Sequence, residues 1–77
     1  MNRVQTLNDY CFRRLQSLES VLAEIELRPF VKLRLQTERN ILKHLIDFDT
    51  AANFADVEHL QKYVDDSVRL VTGFYED

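Results

Sequence analysis

Along the first 25 residues the apolar side chains return at steps of three and four: Val4, Leu7, Cys11, Leu15, Leu18, Leu22 and Ile25. At about 100° per residue these positions fall in one stripe, the mark of a helix with one face in a core. Tyr10 and Val21 flank it, and Thr6 or Asn8 is the expected cap. The stripe runs into Leu27-Arg28-Pro29, and the residue before a proline is pushed out of helical geometry. Pro29 itself suits the first turn of a following helix, where its missing N–H is no loss.

The second segment carries Phe30, Val31, Leu35, Ile41, Leu42, Leu45, Ile46 and Phe48 on one face, with Arg34 and Glu38 four residues apart and placed to pair. A strand competes for its beginning. Val31-Lys32-Leu33-Arg34-Leu35-Gln36 alternates apolar and polar, which is the β period. A lone strand needs a partner, so that reading implies a dimer with Lys32, Arg34 and Gln36 facing outward and Thr37 capping the next helix. Over residues 31–60 it resembles the ribbon-helix-helix DNA binders, which read the major groove with a β-ribbon.

In the third segment Val57, Leu60, Val64, Val68 and Val71 form the stripe, with Phe54, Tyr63 and Tyr75 at its edges. Asn53 or Asp56 supplies its N-cap. Glu58–Lys62 and Asp65–Arg69 have the favourable acid-before-base order. Gly73 stands where a left-handed residue would end the helix. The chain has one glycine and one proline in 77 residues, which excludes turn-rich β classes and low-complexity disorder. The expected fold is all-α: three amphipathic helices, over 4–27, 29–48 and 54–72, in one domain spanning 1–77. They form an antiparallel bundle, complete in itself or completed by dimerisation.

Size limits what such a bundle can do. A chain this short buries about 60% of the surface it exposes unfolded, which leaves little material for a cleft besides a core. Cys11 is the only cysteine, so no internal disulfide staples it. No apolar run reaches the ~18 residues of a membrane span, and the N-terminus lacks the apolar stretch of a signal peptide, so the chain reads as cytoplasmic with no membrane partner.

Asp47-Phe48-Asp49-Thr50-Ala51-Ala52-Asn53-Phe54-Ala55-Asp56-Val57-Glu58 has acids at its first, third and twelfth places, like a calcium loop between helices. Its sixth place is Ala52 where the loop needs glycine, and its fifth and ninth are alanines without ligand oxygens. The stretch reads as a linker. His44 and His59 lack the companions of a zinc site. Cys11 lies in an apolar stripe, and Asp65-Asp66 point to different azimuths. No catalytic constellation, cofactor motif or metal set emerges, so the chain is expected not to be an enzyme.

Charge and surplus apolar residues say more. Residues 28–44 carry five cations against Glu38, a net of +4; residues 1–27 carry −1 and residues 45–77 carry −6. A basic middle and an acidic end fit two helices packed side by side, or a polar surface for a charged partner. Phe12, Leu27, Leu33 and Leu70 lie off the main stripes, and Tyr63 and Phe74 on a flank. The expectation is a non-enzymatic protein-interaction module, a small regulator, chaperone or adaptor. It would bind a protein partner or a second copy through Phe12, Phe30, Leu33, Leu70 and Phe74. The alternative is a nucleic-acid-binding regulator acting through the basic 28–43 segment.

Overall fold

Asn2 starts the first helix. Its side chain accepts a hydrogen bond from the Gln5 N–H at 2.8 Å, and the Gln5 side chain accepts one from the Asn2 N–H at 3.3 Å. This reciprocal box satisfies two of the four donors that every helix leaves open at its N-terminus. The computed structural model describes residues 2–73; Phe74 and Tyr75 lie outside that range. Its elements are α1 (Arg3–Glu24), α2 (Pro29–Asp47), a single 3₁₀ turn (Ala51–Asn53) and α3 (Val57–Thr72). The three helices pack against one another as an all-α antiparallel bundle, with no strand among the described residues.

The stretch Val31–Gln36 lies wholly inside α2, so the ribbon-helix-helix arrangement is excluded for it. Pro29 at the helix start presets the first backbone angle, and Leu35, Ile41, Leu42, Leu45 and Ile46 then have an apolar core to meet at helical spacing. A strand would have needed a neighbour to satisfy its backbone, whereas the helix satisfies it internally.

α1 stops at Glu24, three residues before the expected end. Ile25 is already extended (φ −114°, ψ 131°), and its N–H closes on the Val21 carbonyl. Proline alone would have allowed the helix to reach Leu27, but residues 25–28 are taken up in reversing the chain. At the other end, α3 begins at Val57 rather than 54, because Asp56 accepts a 2.9 Å hydrogen bond from the His59 N–H and Phe54 is extended.

The α2–α3 connection holds the only positive φ among the described non-glycine residues, Asp49 at 53°. The Thr50 N–H bonds back to the Leu45 carbonyl at 3.0 Å, and the Asp49 N–H to that of Ile46 at 3.2 Å. These two bonds with a left-handed residue between them make a Schellman motif. Aspartate is one of the few non-glycine residues that enters the left-handed region readily. Gly73, expected to play this part for α3, is right-handed instead (φ −60°, ψ −25°).

The core is Leu7, Cys11 and Leu18 of α1, Leu42 and Leu45 of α2, Ala51 of the connection, and Leu60, Val64 and Val68 of α3. Leu7, Leu42 and Leu60 are fully buried, one from each helix. Thr72 takes the last inward place on α3 in place of the expected Val71. It is 2% exposed, and its hydroxyl donates to the Val68 carbonyl at 2.7 Å. No buried side-chain nitrogen or oxygen among the described residues lacks a partner.

Polar ties between elements differ from the expected ones. Glu38 pairs across the bundle with Arg14 of α1, through Nε at 2.6 Å and Nη2 at 3.1 Å, rather than along α2 with Arg34. Arg34 instead lies over the Phe30 ring, 6.0 Å from its centre. Neither Glu58–Lys62 nor Asp65–Arg69 closes to an ion pair among the described residues. Arg3 donates to the Phe54 carbonyl at 2.6 Å and ties the start of α1 to the connection.

Candidate interaction surface

Two helices packed antiparallel leave a furrow between their outer flanks. Between α2 and α3 that furrow holds a hollow of about 370 Å³ with Ile41, His44 and Leu45 on one wall and Tyr63 and Val71 on the other. Thr37 and Asn40 continue the α2 wall. The Thr37 hydroxyl donates to the Leu33 carbonyl at 2.8 Å, so this wall offers few free polar groups.

Aromatic contacts hold its lower end. Phe54 of the connection meets the Tyr63 ring edge-on at 5.1 Å, and His44 lies 4.5 Å from Phe48. Edge-on rings at such distances attract through their quadrupoles as well as by burial, so the Tyr63 ring is fixed as a wall. Phe48, which the apolar pattern assigned to the core, is 66% exposed at the rim. It caps α2, seven residues after Ile41 and four after His44 on the helix's outer flank.

Of the five residues expected to bind a partner, the four that are described do not gather on one surface. Leu70, 72% exposed, lies seven residues from Tyr63 on the same α3 stripe and next to Val71, at the hollow's rim. Phe12, 56% exposed, lines a separate shallow hollow on α1 with Leu15, Gln16 and Glu19. Phe30 is half-buried in a notch with Arg14, Arg34, Glu38 and Asp65. Leu33 is half-buried on α2, and Phe74 falls outside the described residues. At the furrow Ile41 packs against the core as its spacing predicts, whereas Phe48, assigned to the same face, is exposed beside His44. Their spacing of three and four was a legible signal, but it reads equally as core.

A larger hollow of about 400 Å³ lies between α1 and α3, with Asp9, Tyr10, Arg13, Arg14 and Val57 among its lining residues. Burial raises the Tyr10 phenol above its ordinary value, and the hydrogen bonds it donates to Glu38 likewise hold the Arg14 guanidinium above its own. Both shifts keep these groups in the protonated forms they have at neutral pH. The Cys11 thiol is raised by burial, the opposite of the depression that makes a nucleophilic thiolate.

The stretch from Asp47 to Glu58 is divided among an α2 terminus, a left-handed turn, a 3₁₀ turn and an α3 cap. The Asp56 carboxylate lies below its ordinary value because the His59 N–H and then the His59 ring, at 2.7 Å, bind it. Among the described residues no three His, Cys, Asp or Glu side chains come together as metal ligands. No helix there is long and apolar enough to cross a membrane. Compared with known protein families, curated proteins and solved structures, the chain matches none.

Proposed function

We propose that this chain is a cytosolic, non-enzymatic protein-interaction module, a small regulator or adaptor, that pairs with a second copy of itself through the α2–α3 face. The observation carrying this reading is that one face holds both a hole and knobs. The hollow lined by Ile41, His44, Tyr63 and Val71 is open, and Leu70 and Phe48 are exposed on the same pair of helices, Phe48 against His44. A two-fold interface uses the same patch twice, so it needs hole and knob together.

The size of the core supports the same reading. Among the described residues nine buried apolar side chains, two of them Ala51 and Cys11, form a small core, and chains of this size commonly gain stability by association. Sedimentation equilibrium over a wide concentration range tests it. Wild-type protein is expected to dimerise, and Leu70→Asp or Phe48→Asp to sediment as a monomer with unchanged helical content by circular dichroism. A wild-type monomer at all concentrations, or a dimer that survives both substitutions, would overturn the proposal.

A further inference from the structure

α2 settles what the basic middle of the chain can do. At 100° per residue, Lys32, Gln36, Arg39 and Lys43 fall within an arc of about 60°, and Arg28 precedes them at the helix start on nearly the same line. The four cations span about 22 Å of helix axis at 1.5 Å per residue. Arg34 is off the line, over Phe30. Gln36 and Asn40 lie between the charges, and the Arg39 guanidinium is steadied by the Asn40 side-chain oxygen at 3.3 Å.

This stripe faces away from the acids of α3. Thr37, Ile41 and His44 turn toward α3, on the opposite flank of α2, where they meet Tyr63 and Val71. Side-by-side neutralisation of the basic and acidic segments therefore reaches Arg34, which shares a notch with Asp65, and not the stripe. No carboxylate among the described residues comes within 4.0 Å of Arg28, Lys32, Arg39 or Lys43. Within α2 the only acids are Glu38, held by Arg14, and Asp47 at its end. The molecule measures 26 × 19 Å across its short axes, wider than the ~10 Å over which ordinary salt transmits charge.

We infer that the stripe Arg28–Lys32–Arg39–Lys43 binds the phosphate backbone of a nucleic acid. A membrane surface is the poorer fit, because a membrane-lying helix needs an apolar face free to enter the bilayer, and the apolar face of α2 is in the core. An acidic protein would have to match four separate charges, whereas a phosphodiester chain presents an anion at every nucleotide. Such contacts fix position without reading sequence, and binding of this kind falls with salt as counterions are released.

Fluorescence anisotropy of a labelled mixed-sequence DNA duplex, from about 50 to about 200 mM KCl, tests this. Four phosphate contacts predict a log–log slope of about −3.6 per bound copy, a loss of about 150-fold across that range. Lys32→Gln with Lys43→Gln should halve the slope, leaving a loss of about 12-fold. No binding at low salt, or a slope that the double substitution leaves unchanged, would overturn the assignment. Tighter binding to polyglutamate or to anionic vesicles than to the duplex would overturn it too, in favour of another anionic partner. Leu70→Asp leaves the stripe intact, so this outcome is independent of the self-association reading.

Discussion

Cys11 shows how position sets chemistry. The sequence placed it in an apolar stripe, and the structure buries it fully beside the core leucines. Its thiol is pushed above the ordinary 9.0 by desolvation, and Tyr10 is shifted the same way. For a group raised on folding, the stabilising difference is complete below its unfolded value and is lost as pH rises through the folded one. Urea unfolding is therefore expected to show constant stability from neutral pH to about 9, then a decline. Cys11→Ala should lessen the alkaline decline while costing stability at neutral pH. An unchanged pH profile in that variant would assign the decline to Tyr10 alone.

At the scale of elements, the helix faces were legible and the ends were less so. Leu7, Leu18, Leu42, Leu60 and Val64 were assigned inward by their spacing and are inward, because a three-to-four residue period has one physical solution. The stops were not readable from proline and glycine. Asp49 adopts the left-handed turn that Gly73 was expected to supply, and Asn2 caps ahead of Thr6 and Asn8. Several residue types suit a cap or a left-handed turn, so composition leaves the choice open.

The Arg14–Glu38 pair shows the same limit. Four-residue spacing pointed to Arg34, but only packing brings Arg14 to the same carboxylate. Its geometry is bidentate and Glu38 is mostly buried, yet Arg14 keeps enough solvent contact to screen the attraction. A double-mutant cycle on Arg14→Met and Glu38→Gln is expected to give a coupling of about 0.5–1 kcal/mol, measured by urea unfolding. The cycle pairing Glu38 with Arg34 should give close to zero.

The molecule as a whole was legible as a bundle because three amphipathic helices with two short connections have few other ways to bury their stripes. Its surface was less legible. Phe48 and Ile41 matched the core pattern, but only the packed structure separates an inner row from a flank. The stability of such a bundle is concentrated in a few leucines. At 0.05–0.15 kcal/mol per residue, a chain of this length has about 4–12 kcal/mol in all. Leu42→Ala is expected to remove about 2–5 kcal/mol of it, read from the shift in urea midpoint. Leu70→Asp should move the midpoint little for the monomer.

The Schellman turn at Asp49 bears on how the chain finds this arrangement. Like the box at Asn2 and the carboxylate cap at Asp56, it closes through atoms no more than five residues apart. These three helix boundaries are thus decided locally, before any distant segment is in place. What remains is the docking of three preformed rods, two of them joined by a short reversal. Chains whose contacts are so local fall in the fast class, on the order of microseconds to milliseconds. Little unpaired backbone then waits exposed during synthesis.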